Sequence, residues 1–117
     1  MTKRRYDNYS TEFGLWLRVQ PEIDSSLGYV ATDIDFFWKN YKTKQFMFIE
    51  EKRYMAEPAR WQHGIFQQIN YAFTGNSDYH GFHLLQFEKT SPDDGKIYLD
   101  KKEITKKQLI DFLCFKN

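Results

Sequence analysis

Between Ala31 and Lys52 two short apolar runs flank a polar, lysine-bearing turn. The first reads A-T-D-I-D-F-F-W, the turn is Lys39 to Gln45, and the second reads F-M-F-I-E-E-K. This pattern predicts a β-hairpin running to about Tyr54. Side chains alternate along a strand, so Asp33 and Asp35 share one face, and Phe46, Phe48, Glu50 and Lys52 share another. Glu51 then points to the opposite face and takes a structural role. A helix is expected over about 10–19, capped by Ser10 or Asn8, with Phe13, Trp16 and Leu17 on one stripe and Gln20-Pro21 ending it. The first strand can begin at Tyr29-Val30. Glu57-Pro58 opens the strongest helix, with Trp61, Ile65, Ile69 and Phe73 toward the core. His63, Gln67, Asn70 and Tyr71 form its polar stripe, and Gly75-Asn76 stops it. His80 to Phe87 reads as a strand, Pro92-Asp93-Asp94-Gly95 as a turn, and Lys96 to Leu99 as a short strand. Thr105 caps a last helix bearing Leu109, Ile110, Phe112 and Leu113. The order α-β-β-α-β-(β)-α predicts an α/β fold of the mixed α+β kind, a central mixed sheet flanked by helices.

Composition narrows the picture. A chain of 117 residues is expected to form one domain, 1–117, with a basic arm over 1–9. Aromatic residues make up 19% of it, so a few large side chains must fill a modest core. The net charge of +1 does not mark a nucleic-acid binder, but its distribution offers four basic groups. These are Lys3-Arg4-Arg5; Lys39 with Lys42 and Lys44; Lys101-Lys102; and Lys106-Lys107. Ordinary solvated lysines give the same pattern. Cys114 is the only cysteine, which rules out an internal disulfide and suits a reducing, cytoplasmic setting. Its neighbours Leu113 and Phe115 predict a buried thiol. No apolar run approaches a membrane span, no signal peptide is expected, and glycine-rich phosphate loops are absent.

The chemistry sits on the hairpin. Two or three carboxylates and one ammonium gather at its end, and crowded carboxylates resist joint ionisation. A divalent cation relieves that repulsion, and hard oxygen ligands favour Mg²⁺, with Mn²⁺ as substitute. A surface salt bridge is the plainer alternative. His80-x-x-His83 lacks the further ligands that zinc needs.

Asp35, a gap, then Glu50-x-Lys52 resembles the PD-(D/E)xK nuclease superfamily. Glu12, in the upstream helix, stands where many members carry an extra acid, and Gln67-x-x-x-Tyr71 resembles the Gln/Tyr motif of its helicase-coupled exonuclease branch. Ile34 replaces the proline of the motif's name. The resemblance implies a restriction-endonuclease-like core and metal-dependent phosphodiester hydrolysis. Asp35 and Glu50 would hold the metal, with Glu12 as a further acid and Asp33 as the alternative to Asp35. Lys52 would position water or stabilise charge on the phosphorus. Gln67 would orient the water or a phosphate, and Tyr71, Lys39, Lys42 and Lys44 would touch the DNA backbone. The leading expectation is a small Mg²⁺-dependent DNA endonuclease acting on double-stranded or branched DNA. A homodimer or homotetramer would supply a second active site, and a phage or mobile-element origin would suit the size. A non-catalytic nucleic-acid-binding or assembly module and a 5′-3′ exonuclease are the alternatives.

Overall fold

The computed structural model describes residues 11–116. The expected basic arm and the Ser10 or Asn8 cap lie outside them. The chain divides into two compact units, Met1–Asp33 and Ile34–Asn117.

In the first unit, helix α1 spans Glu12–Arg18. Its cap is Thr11, whose hydroxyl oxygen accepts from the Gly14 amide at 3.0 Å. Phe13 and Trp16 stack with centroids 6.0 Å apart, as their one-turn spacing requires. Two single 3₁₀ turns, Pro21–Ile23 and Ser25–Leu27, follow.

The second unit is a mixed α/β layer structure. Its strands are β1 (Phe36–Lys39), β2 (Phe46–Lys52), β3 (Tyr79–Phe87), β4 (Ile97–Leu99) and β5 (Lys102–Ile104). They form one sheet in the order β1-β2-β3-β4-β5. Only β2 and β3 are parallel. Helix α2 (Arg60–Phe73) makes that parallel crossover, and α3 (Lys106–Leu113) ends the chain. The hairpin, the two following helices and the strands from His80 and Lys96 were all expected; β5 and the two 3₁₀ turns were not. Thr105 caps α3 as expected, its hydroxyl oxygen accepting from the Gln108 amide while Gln108 Oε1 accepts from the Thr105 amide. Among the described residues no helix is long and apolar enough to cross a membrane.

Each sheet face carries its own layer. Phe46, Phe48 and Phe82 meet Phe66 and Phe73 of α2 through ring contacts of 4.4–5.5 Å. On the other face Met47, Ile49, Leu85, Phe87 and Ile97 pack with Leu109 of α3. Aromatic side chains thus supply one layer and aliphatic ones most of the other.

Four expectations are corrected. The first strand starts at Phe36, not at Tyr29-Val30, so neither Asp33 nor Asp35 lies within it. The ladder would continue with Ile34 opposite Glu51, but the Glu51 amide donates to the Asp35 side chain instead of to the backbone across from it, and beyond Lys52 the Tyr54 and Met55 amides turn to Lys89 and Phe87. The buried residues of α2 are Gln62 and Phe66, while Trp61, Ile65, Ile69 and Phe73 are half-buried. A repeat of four drifts by about 40° per step around a helix of 3.6 residues per turn, so it cannot stay on one face. Pro58 precedes the Ala59 cap instead of lying in the first turn. Cys114 is exposed. It stands at the C-cap of α3, while Leu113 and Phe115 on either side turn inward.

One local irregularity sets the phase of β3. Phe46 pairs with Tyr79 but Phe48 pairs with Phe82, so β3 carries one extra residue there. Gly81 lies in that bulge at φ +104°, and a Cβ on it would sit 2.8 Å from His83 Nε2. Gly81→Ala is expected to cost about 1–3 kcal/mol from backbone strain alone. Urea denaturation measures this; an unchanged midpoint would mean the bulge relaxes without cost.

Candidate functional site

The bulge and the hairpin register place the charged residues. Phe36 pairs with Ile49, so one step earlier Asp35 stands opposite Glu50, on the face that Phe37 shares with Phe48. Asp35 Oδ2 accepts from the Glu51 amide at 2.8 Å, which ties the loop entering β1 to the end of β2. Glu50 is buried at 3% exposure. Its Oε2 lies 3.4 Å from Lys52 Nζ. Its Oε1 is buried and has no hydrogen-bond partner among the described residues. Burial pushes the Glu50 carboxyl up, and the Asp35 carboxylate adds to that. The Lys52 ammonium and the Asp35 amide pull the other way, and the outcome is a rise from 4.5 to about 7. Alternation along β2 therefore puts Glu50 and Lys52 on one face, with Asp35 in the bend before β1, and Glu51 lines the apolar groove of the α3 face with Phe36 and Leu85.

Gln67 lies on a neighbouring cleft of about 300 Å³, with His63, Phe66, Asn70, Phe82, Leu84, Asp100 and Lys101. Leu84 is the register partner of Glu50, so the cleft begins one strand over from the carboxylates. Tyr71 is 82% exposed on the outer side of α2 and is not among the residues of that cleft. Lys39, Lys42 and Lys44 are exposed at the closed end of the hairpin, where the Asn40 side chain accepts from the amides of Lys42 and Thr43. Four residues of strand, about 13 Å, separate Lys39 from Asp35. Glu12, in the first turn of α1, and Asp33 belong to the other compact unit.

Sequence reasoning passed over Gln86 and Glu57. Gln86 is fully buried and pairs in register with Lys52 on the Glu50 face. Its Nε2 donates to Ala56 O at 2.9 Å and to Glu57 Oε2 at 3.2 Å. The Lys101 ammonium hydrogen-bonds both Glu57 oxygens and holds that carboxyl below its usual range, with the Gln86 amide adding to the effect. A lone amide inside Leu84-Leu85-Gln86-Phe87 was the available signal, since such a residue must either be buried with partners or interrupt the layer.

The two histidines are occupied by protein groups. His83 Nδ1 lies 2.7 Å from Asp100 Oδ2 and Nε2 lies 2.6 Å from His80 O. Both partners are acceptors, so both ring nitrogens donate and neither has a lone pair for a metal. Burial works against this imidazolium, but the Asp100 hydrogen bond, the His80 carbonyl and the Asp100 charge outweigh it and raise the pKa. Among the described residues no group of three or more His, Cys, Asp or Glu side chains gathers as a metal cluster. Asp35 and Glu50 are the two neighbouring carboxylates on which a Mg²⁺ site could be built, since Mg²⁺ keeps several waters and commonly takes one or two carboxylates together with substrate phosphate.

No protein-family model, no curated protein and no solved structure matches this chain.

Proposed function

We propose that this chain is a small metal-dependent DNA endonuclease of the PD-(D/E)xK type, its sheet and helices forming a restriction-endonuclease-like core. The observation that carries the reading is Glu50. It is a buried carboxylate with one unpartnered oxygen, opposite Asp35 and 3.4 Å from Lys52. Burying such a group is costly unless a counter-charge completes it, and Lys52 reaches only one of its oxygens. Asp35 and Glu50 are the residues that would hold Mg²⁺ or Mn²⁺. A bound cation of this kind polarises a phosphate and lowers the pKa of a water. Lys52, on the same face and partly shielded from solvent, places its ammonium where charge develops on the phosphorus or where it can hold the attacking water. Gln67 faces the adjoining cleft and can orient a phosphate or water there. The exposed hairpin lysines then track the backbone of double-stranded or branched DNA farther along. A symmetric dimer or tetramer would bring a second site to the second strand.

The test is incubation of the purified chain with supercoiled, linear, branched and single-stranded DNA, in EDTA and in millimolar Mg²⁺ or Mn²⁺. Nicking or linearisation that requires the cation is expected. Shortening only from 5′ ends would turn the reading to an exonuclease. DNA binding without cleavage of any substrate would put the non-catalytic module in its place.

A further inference from the structure

We propose that Gln86 supplies a third, neutral oxygen to the divalent cation of the Asp35–Glu50 site. The inference rests on the cation reading above and extends it to a residue outside the D…ExK pattern.

The orientation of the Gln86 amide is fixed by its partners. Nε2 faces a carbonyl oxygen and a carboxylate oxygen, both acceptors, so the nitrogen occupies that side and the other atom is the oxygen. That oxygen, Oε1, is buried and has no hydrogen-bond partner among the described residues. Glu50 Oε1 is in the same condition. The two residues lie on adjacent parallel strands and on one face: Glu50 pairs with Leu84, and Gln86 follows two places on, opposite Lys52. Leaving a buried polar atom without a partner is costly, and native proteins rarely keep two on one sheet face without use. Once Glu50 has released its proton, both atoms are acceptors and cannot satisfy each other. A positive group that serves both is then needed, and Lys52 is engaged with Glu50 Oε2 at 3.4 Å. A hard cation that takes carboxylate and amide oxygens together meets the need of both.

The surroundings hold Gln86 ready for this. Its amide is anchored to Ala56 O in the connection before α2 and to Glu57, which Lys101 secures in turn. The bulge at Gly81 is what brings residue 86 onto this face. Fixing a ligand's orientation through its second atom is the usual way a protein tunes a metal site.

The experiment compares Mn²⁺ affinity, by calorimetry and by loss of the free-ion paramagnetic signal, in wild type, Gln86→Met and Gln86→Glu. Gln86→Met keeps the volume and removes the oxygen, and should weaken Mn²⁺ binding about tenfold or more. Gln86→Glu returns an oxygen with added charge, and should bind as tightly as wild type or tighter. A purely structural glutamine predicts the reverse for Gln86→Glu, because a carboxylate beside Glu57 and Glu50 disrupts the amide anchor. If Gln86→Met fails to fold, the wild-type protein decides. Its Gln86 side-chain carbonyl carbon should shift on Mg²⁺ titration while that of Gln62 stays in place. Unchanged Mn²⁺ affinity in Gln86→Met, or an unmoved Gln86 carbonyl at saturating Mg²⁺, overturns the role of Gln86 and leaves the Asp35–Glu50 site standing. Absence of any Mn²⁺ binding in wild type overturns both.

Discussion

In EDTA at pH 8, Glu50→Gln is expected to melt at a higher temperature than wild type. The native Glu50 carboxyl holds its proton up to about pH 7, whereas in the unfolded chain it releases it near 4.5. Between those values the native state binds more protons, so the contribution of Glu50 to stability falls as pH rises. It is fully present below 4.5, is lost progressively up to about 7, and stays lost above. A tenfold change in proton affinity corresponds to about 1.36 kcal/mol, which puts the deficit on the order of 3 kcal/mol. Gln at position 50 keeps the shape and cannot ionise, so it escapes the deficit. Its advantage should vanish below pH 4.5 and be largest above 7. Millimolar Mg²⁺ or Mn²⁺ should reverse the order. A ligand at a hundredfold excess over its dissociation constant adds about 2.7 kcal/mol to a protein that binds it only when folded. Wild type should gain on that scale and Glu50→Gln far less. Thermal melting of both proteins across pH 4–9, with and without metal, reads every part. Equal metal responses would show that Glu50 is no ligand. A stability difference that does not change with pH would show that it is not a strained buried charge.

The largest effect on activity is expected at Lys52. Lys52→Ala should lower cleavage by about 10²–10³-fold, the range seen when one preorganised group that meets transition-state charge is removed. Affinity for DNA should remain near wild type, because the lysine is one of many and the exposed Lys39, Lys42 and Lys44 remain. The substitution also withdraws the ammonium that pulls the Glu50 carboxyl down, so the pKa of Glu50 should rise further. Cleavage under single-turnover conditions, followed over pH beside a binding titration, separates these effects. A variant that cuts normally would remove Lys52 from the mechanism and leave a structural ion pair.

How much of this could be read beforehand depended on whether a residue's neighbours were local. The closeness of Glu50 and Lys52 was legible from alternation along β2, whereas Asp35 reaches them from the bend before β1, tied there by the Glu51 amide. The cap of α3 was legible as well, Thr105 and Gln108 lying one turn apart. Burial along α2 was not, because the helix meets the sheet along a line set by its packing on β3, and only Gln62 and Phe66 fall fully on it. The late start of the first strand depended on the Asp35 side chain taking the Glu51 amide, which no alternation pattern reveals. Gln86 was missed because its importance comes from pairing with Lys52 across the parallel crossover, 34 positions along the chain, by way of a bulge.

That bulge makes the length of β3 as consequential as its composition. Removing Gly81 alone would advance the rest of the strand by one position and exchange its two sides. Leu85 and Phe87 would leave the aliphatic layer for the aromatic one. Gln86 would be driven against Met47, Ile49 and Leu109, and Glu50 would have Phe87 beside it in place of the amide. A deletion in the Pro92–Gly95 turn would shorten a surface loop and leave every one of these pairings in place. Within one strand of nine residues, a single glycine therefore acts as the frame in which all the later side chains are read.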